Sequence, residues 1–487
     1  MPSTQIAVIG AGPGGYAAAF YAADRGMQVT LIDPAVNPGG VCLYRGCIPS
    51  KALLHVAEVI NDARQAEAWG VSFGAPKIDI SRVRAFKTKV VNQLTGGLGQ
   101  LSKQRKIDYI QGRAAFVDAH TLDIAREGAG TETLTFEHAI IATGSRPASI
   151  PGLTIDSPRL MDSTGALDVP EIPRSLLVVG GGYIGLELGT VYAALGSKVT
   201  VVEMTGGLLP GADRDLVNVL AKRVEGLCEA VLLNTKVVSM KEAKNGITVS
   251  FEGPSAGSGQ DPSTGSGQGA QAKERTFDRV LVSIGRRPNS AIAGLDRTRV
   301  QVDKRGFIAV DTSRKTDEPS IYAIGDVVGE PMLAHKASHE GRVAVDTIAG
   351  EKTAFEPLAI PAVVFTDPEL AWCGLTESDA RKEQREVTVA RFPWAASGRA
   401  LTLDRPDGLT KLVLDPKTER VLGVGIVGPG AGELIAEGVL AVEMGASATD
   451  VRLSIHPHPT LSETLMESAE VFFGHATHVY RPKKAKN

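Results

Sequence analysis

The sequence predicts an α/β protein with two Rossmann-like dinucleotide-binding domains and a C-terminal α+β domain. Three observations carry that expectation. The first is an internal repeat. Residues 5–33 read as strand, glycine-rich turn, small-residue helix ending near Gly26, and second strand, and residues 175–203 read the same way, with the helix ending near Gly196. The registers agree without a gap: Gly10 to Gly26 and Gly180 to Gly196 both span 16 positions, and Gly10 to Asp33 and Gly180 to Glu203 both span 23. Each copy has the length of a nucleotide-binding half. The second observation is that each copy carries a glycine fingerprint between strand and helix. The third is a change of pattern near residue 354, where short alternating strands at 363–365, 409–414 and 421–427 are interleaved with helices such as 432–444. That mixture predicts an antiparallel sheet in a separate domain.

These signals divide the chain into four parts. Residues 1–150 form the first nucleotide-binding domain and 151–284 the second, entered near 142–147 and left near 285–289. Residues 285–353 return to complete the first site, and 354–487 form the C-terminal domain. Between probable strands at 247–251 and 279–282 lies a low-complexity stretch, Gly253 to Gln271, with Gly257-Ser258-Gly259-Gln260 and Gly265-Ser266-Gly267-Gln268. Its composition cannot bury a core, and it is expected to be a surface hairpin loop.

Composition narrows the class. The 487 residues are 43% hydrophobic and 22% charged, the profile of a globular protein with room for several domains. No apolar run reaches the ~18 residues needed to cross a bilayer. A net charge of -3 gives no basic footprint for nucleic acid. A strand that starts at Gln5 leaves no room for a leader, so a cytoplasmic location is expected, or an organelle matrix if a targeting segment has already been removed. Neither a nucleic-acid nor a membrane partner is expected.

The fingerprints are Gly10-Ala11-Gly12-Pro13-Gly14-Gly15 and Gly180-Gly181-Gly182-Tyr183-Ile184-Gly185. Their spacing places glycine at a tight turn, where backbone approaches a pyrophosphate, and where helix meets strand. The helix start offers free N–H groups and a positive dipole end to phosphate. An acid at the end of the next strand, Asp33 or Glu203, can accept from ribose hydroxyls. Two adenine dinucleotides per chain follow. Glu203 would repel a 2′-phosphate, and Met204 and Thr205 supply no cation, which favours NAD over NADP at the second site.

Four cysteines cannot make a stabilising disulfide framework. Cys228 and Cys373 are isolated in apolar surroundings and read as core residues. Cys42 and Cys47 lie close together in Gly39-Gly40-Val41-Cys42-Leu43-Tyr44-Arg45-Gly46-Cys47-Ile48-Pro49-Ser50-Lys51. Residues five apart diverge by ~140° on a regular helix, so joining the two sulfurs needs a distorted turn, which Gly46 allows. Pro49 suits the first turn of a following helix. Cys47, just before that helix and near Lys51, is placed to be a thiolate. A half zinc site would be the competing reading, but no second cysteine pair or suitably spaced histidine accompanies it, and no metal is expected.

Further stretches accompany this one: Ala142-Thr143-Gly144-Ser145, Gly182 to Glu187, Ile284-Gly285-Arg286-Arg287-Pro288, Gly325-Asp326-Val327-Val328, Met332-Leu333-Ala334-His335-Lys336, Phe365-Thr366-Asp367-Pro368-Glu369, and His456-Pro457-His458-Pro459-Thr460-Leu461-Ser462-Glu463. Over nearly its whole length the chain resembles the flavoprotein disulfide reductases, class I of the pyridine nucleotide–disulfide oxidoreductases, and among them the dihydrolipoamide dehydrogenases. Two departures stand out. Tyr44-Arg45 replaces a commoner asparagine and apolar residue, and Pro457 replaces a usual alanine.

The resemblance implies FAD on the first fingerprint and NAD on the second. FAD would be held by Gly10, Gly12, Gly14, Gly15, Asp33, Gly40, Val41, Lys51, Ala114, Thr143, Gly144 and Ser145. Gly325, Asp326, Met332, Leu333, Ala334 and His335 would hold its ribityl and ring portions. NAD would fall to Gly180, Gly182, Tyr183, Ile184, Gly185, Glu187, Glu203, Val237 and Gly285. Tyr183 matches a residue that covers the nicotinamide side of the flavin in some relatives, or else packs its helix on the sheet. Lys51 would pair with Glu187 beside the flavin.

By the same resemblance Cys42 is the interchange thiol and Cys47 faces the flavin. The dithiol must be deprotonated, because thiolate is the attacking species. His458 is the expected base, with Glu463 five residues on to orient it; His456 is its rival. The family pattern further implies a homodimer in which the C-terminal domain lends the base to the partner's site. The expected reaction oxidises protein-bound dihydrolipoyl groups, and the expected partners are lipoyl domains of 2-oxoacid dehydrogenase or glycine-cleavage complexes. The competing readings are an NAD(P)H-dependent reductase of another small disulfide, and a complex-docking subunit with secondary catalysis. Glu203 argues against an NADPH-dependent reductase of glutathione, and the lack of cysteines after Cys373 against a mercuric reductase.

Overall fold

A computed structural model describes residues 2–126, 128, 130–253 and 273–480. In the first repeat the strand Ser3–Ile9 runs parallel to Val29–Asp33 on one side and to the end of Gly130–Ile141 on the other. Asp108–Gln111 extends this sheet in parallel beyond Val29–Asp33. The start of Gly130–Ile141 pairs antiparallel with Thr121–Arg126, while its end takes Ile321–Ala323 in parallel. The first sheet is therefore finished by a strand that follows the second repeat.

The second repeat builds a five-stranded parallel sheet in the order Ala230–Leu232, Lys198–Val202, Ser175–Val179, Arg279–Val282, Leu160–Met161. Both sheets are centred on unbroken apolar runs, Ile6 to Ile9 and Leu176 to Val179, which are buried along their length. Continuous rather than alternating hydrophobicity is what a parallel strand covered on both faces requires. The chain enters and leaves the second domain through Ser145–Pro147 and Arg286–Pro288, which pair antiparallel with each other. The C-terminal sheet is antiparallel throughout, in the order Ala362–Val364, Leu370–Gly374, Val421–Val427, Leu409–Leu414, Thr388–Pro393. The helices Ala431–Glu443 and Glu463–Phe473 pack with that sheet in a core that includes Phe392, Trp394, Ile426 and Leu465.

One expectation needs correction. The strand Gly246–Glu252 pairs with Lys273–Phe277, and Arg279–Val282 belongs to the parallel sheet instead. Lys273 to Thr276 are exposed, and Lys-Glu-Arg-Thr carries no hydrophobic alternation to announce a strand. The low-complexity stretch, residues 254–271 in particular, lies outside the described residues. Among those that are described, no helix is long and apolar enough to cross a membrane.

Three glycines at matching positions of the two fingerprints do the same three things in both domains. Gly10 (φ +99°) and Gly180 (φ +110°) turn through the left-handed region. Above Gly12 and Gly182 there is space: an added methyl would meet nothing nearer than 3.9 Å at the first, and nothing within 4 Å at the second. Gly15 and Gly185 seat the helix on the strand, where a Cβ would stand 1.8 Å from Gly10 O and 2.3 Å from Gly180 O.

Gly15→Ala is therefore expected to destabilise the fold by ~2 kcal/mol or more, through helix displacement. Gly96→Ala and Gly97→Ala, in the helix Ile80–Gln104 with nothing within 4 Å of an added Cβ, should each stabilise by ~0.5–1 kcal/mol. Thermal unfolding of the three variants checks both signs.

Candidate active site

The cysteine segment folds as two helices, Gly40–Arg45 and Cys47–Gln65, broken at Gly46. A side chain at Gly46 would approach Val41 O to 2.9 Å, so the break needs glycine. Cys47 opens the second helix rather than preceding it, and Pro49 falls at its third position. The helix start still favours a negative sulfur there.

The two thiols are unbonded and unlike each other. The Cys42 thiol hydrogen-bonds Cys47 and lowers the latter to about 7; burial opposes the shift, Lys51 assists it and Glu187 opposes it. The same hydrogen bond, with burial, pushes Cys42 far up. In the reduced state Cys47 is therefore the thiol that ionises near neutrality, while Cys42 keeps its proton. Burial raises Cys228 to about 11 and Cys373 to about 12, so neither competes near neutrality.

Glu187 is buried, and donors from two other parts of the chain converge on it. Lys51 Nζ lies 2.8 Å from its Oε2, and Ser50 Oγ donates to the same atom at 2.9 Å. The backbone N–H of Phe365, in the C-terminal domain, donates to Oε1 at 3.0 Å. The Phe365 ring also lies under the Lys51 ammonium, 4.3 Å from Nζ to the centroid. Ser50 and Phe365 belong to the site but were given no role from sequence. Both lie in segments singled out for other residues, and only the folded geometry shows their bonds to Glu187.

A cleft of about 790 Å³ runs from the first glycine turn to the thiol pair. Of the residues expected to hold FAD, Gly10, Gly12, Gly14, Asp33, Gly40, Val41, Lys51, Ala114, Thr143, Gly144, Ser145, Gly325, Asp326, Met332 and Ala334 line it. Tyr183, Ile184 and Glu187 reach it from the second domain. Asp326 is held by Ser145 Oγ, which in turn accepts from Arg286 Nε at 2.7 Å. Beneath, the fully buried Glu340 accepts from Gly325 N at 2.7 Å and pairs with Arg314 and Lys336. The open space above Gly12, the free helix start and a cleft within the size range of cofactor sites together fit a flavin dinucleotide.

Other expected residues lie elsewhere. Gly15 is under the helix, and His335 Nε2 lies 2.8 Å from Pro361 O. Gly180, Gly182, Gly185, Glu203 and Gly285 surround the second turn, away from this cleft. Val237 is buried among Leu177 and Val179 in the core of the second domain. The two acids behave alike. Asp33 accepts from Ala11 N (2.8 Å) and Ala35 N (2.9 Å), and Glu203 accepts from Gly181 N (2.8 Å) and Thr205 N (2.8 Å). Each braces its own glycine turn at the equivalent atoms.

His458 does not line the cleft. Its side chain is 74% exposed, and its Nδ1 lies 3.0 Å from Glu463 Oε1. The other Glu463 oxygen accepts from Thr460 N at 2.8 Å. His456 differs: its side chain is buried, with Nδ1 2.8 Å from Ser454 O and Nε2 2.8 Å from Glu437 Oε1. Both of its ring nitrogens are engaged.

A glycine turn leading through one cleft to an unequal thiol pair, with a second such turn in the inserted domain, defines a nucleotide-dependent dithiol–disulfide oxidoreductase. The chain belongs to the pyridine nucleotide-disulphide oxidoreductase family, whose model matches residues 4–341, and the family's dimerisation domain matches residues 360–469. It is 48% identical to the dihydrolipoyl dehydrogenase of Vibrio cholerae over 482 residues, covering 99% of this chain and 98% of that one. With the dihydrolipoyl dehydrogenase of Geobacillus stearothermophilus it shares 44% over 476 residues, covering 98% and 97%. Among solved structures it resembles LpdA from Mycobacterium tuberculosis, with a TM-score of 0.86 at 26% identity over 96% of this chain and 99% of that one. The Cu(II) complex of the HOCl-induced flavoprotein disulfide reductase RclA from Escherichia coli gives 0.83 at 29%, over 97% and 100%.

Because Lys51 lowers the Cys47 thiol, Lys51→Met is expected to raise its titration midpoint above 7, by ~1 unit. The thiolate ultraviolet absorbance of the reduced, flavin-free protein, titrated against pH, reads this directly, since the other three thiols ionise well above that range.

Proposed function

We propose that this chain is a dihydrolipoyl dehydrogenase, oxidising protein-bound dihydrolipoyl groups with NAD as final acceptor. The observation that carries the reading is the placement of Cys42 and Cys47, with the Lys51–Glu187 pair beside them, in the cleft that runs from the first glycine turn. Near full-length identity to relatives of that name supports it.

FAD would lie in the cleft, with its pyrophosphate over Gly12 and the start of Pro13–Asp24, and with Asp326 and the start of Ala334–Ile348 toward its far end. Bound there, it would take an electron pair from the reduced cysteines and pass it as hydride to NAD at the second turn. The protein's own residues handle sulfur and protons. A substrate thiolate attacks Cys42 of the Cys42–Cys47 disulfide, forming a mixed disulfide and releasing Cys47 as thiolate. The second substrate thiol, deprotonated by His458, attacks the substrate sulfur of that mixed disulfide. The substrate ring closes as a disulfide, Cys42 leaves and takes a proton, and two thiol groups stand reduced. Lys51 stabilises the Cys47 charge, and Glu187 keeps Lys51 in place.

His458 would act in the partner's cleft of a homodimer. Its position outside the cleft of its own chain supports this, as do the dimerisation-domain match and a group of exposed apolar residues close in sequence, Leu440, Met444, Leu453 and Ile455. Lipoyl domains of 2-oxoacid dehydrogenase or glycine-cleavage complexes are the proposed partners.

The purified protein should be yellow, release FAD on denaturation, and turn over dihydrolipoamide with NAD far faster than glutathione or NADP(H). His458→Gln should retain flavin and lower dithiol oxidation by ~10²–10⁴-fold. Near-normal turnover would remove His458 as the base. Mixing Cys47→Ser with His458→Gln chains should restore part of the activity if the base acts across the dimer.

A further inference from the structure

The start of the helix Arg214–Leu227, in the second domain, is tied to the C-terminal domain by a buried charge cluster. The Lys411 ammonium, on the strand Leu409–Leu414 and 1% exposed, donates to Asp213 at 2.7 Å, Asp215 at 2.8 Å and Glu377 at 2.8 Å. Arg391 closes the other side of Asp215 and Glu377. Asp213 also accepts from Glu377 N, Ser378 N and Ser378 Oγ, so one carboxylate caps the start of a C-terminal-domain helix while pairing with Lys411. Burial would raise the Asp213 carboxyl, but the Lys411 hydrogen bond and charge hold it below the usual range.

Next to it, Arg214 gathers the preceding loop. Its guanidinium donates to Leu208 O, Leu209 O and Ala212 O, each at 2.8 Å. Leu209 sits in the left-handed region (φ +48°), a strained conformation that persists only where its surroundings fix it. From that position Leu209 N donates to Gly181 O at 2.9 Å. Gly181 is inside the second glycine turn, and its own N–H is held by Glu203 at 2.8 Å. A continuous path of hydrogen bonds and chain therefore runs from Lys411 through Asp213, Arg214 and the strained loop to the second turn.

We propose that Lys411 is a positioning residue for the nicotinamide dinucleotide: it fixes the loop that braces the second glycine turn from outside the domain that binds it. The inference rests on the reading of that turn as the NAD site. Without the ammonium, three carboxylates whose oxygens lie within 4.8 Å of one another remain with one guanidinium. Asp213, which Arg391 does not reach, loses its cation. Repulsion then drives the helix start and the loop away from the turn.

The test compares holoenzyme variants by KM for NAD and by the rate at which dihydrolipoamide reduces bound flavin with NAD absent. Lys411→Met should raise KM for NAD by about 3- to 30-fold. The dithiol half-reaction should stay within about twofold of wild type. Arg223→Met removes a different tie between the same two domains, at Asp367, and should leave KM for NAD unchanged. The double variant Lys411→Met, Asp213→Asn removes charge from both partners and should recover much of the loss. An unchanged KM in Lys411→Met, an equal rise in Arg223→Met, or no recovery in the double variant overturns the proposal. Should Lys411→Met yield no folded flavoprotein, Arg214→Lys, which cannot span all three carbonyls, must raise KM for NAD or the proposal falls. A wild-type enzyme reduced by dihydrolipoamide yet unable to bind NAD would instead overturn the reading of the second turn.

Discussion

Glu187 is the point on which the three parts of the chain must agree. It stands on the helix Tyr183–Leu195 of the second domain, yet its donors are Lys51 and Ser50 from the first and the Phe365 backbone from the third. Burying a carboxylate is costly unless its oxygens find partners. Three converging donors satisfy both oxygens of Glu187, which in turn fixes Lys51 over the Phe365 ring and next to Cys47. The electrostatics of one thiol thus depend on how the domains are docked. A rotation of the second domain that broke the Phe365 bond would weaken the same carboxylate that locates the lysine.

The two nucleotide-binding halves show why the internal repeat is so strict. In each, the first glycine turns, the second leaves space, the third seats the helix, and the acid 23 positions after the first glycine holds the turn by the N–H of the next residue. None of these roles tolerates a shift of one residue. Spacing is preserved between copies although only a few side chains are shared. What differs is the support from outside. The first turn abuts the cysteine segment, where Gly40 packs against Gly12, while the second is backed by a loop anchored to the C-terminal domain.

Much of this was legible in the sequence, for definite reasons. Glycine spacing, unbroken apolar strands and the terminal acids are local constraints, so the parallel strands at the centre of both sheets and the fingerprints could be read directly. The cysteine pair was legible because Gly46 lies between the thiols. What could not be read is non-local or carried by backbone. The Phe365 N–H leaves no mark in residue identity, and Lys411 meets Asp213 across 198 positions of chain. The strand Lys273–Phe277 was missed because its exposed residues need no alternation. The choice between His456 and His458 turns on ring environments, one with both nitrogens engaged and one with Nε2 open to solvent, which spacing alone does not reveal.

The proposed division of the sulfur chemistry between the thiol pair and His458 follows from a proton balance. In disulfide exchange a leaving thiol of low pKa departs faster, and the neighbouring Lys51 favours departure of Cys47 as a thiolate that needs no proton. Cys47 therefore makes no demand on an acid inside the cleft. The demand falls on the other side of the exchange, where two substrate thiols must lose protons and Cys42, held strongly protonated beside the Cys47 thiolate, retains one of them. The second proton has to leave the site. In the proposed dimer His458, with Glu463 at its Nδ1, would take that proton and pass it on to solvent.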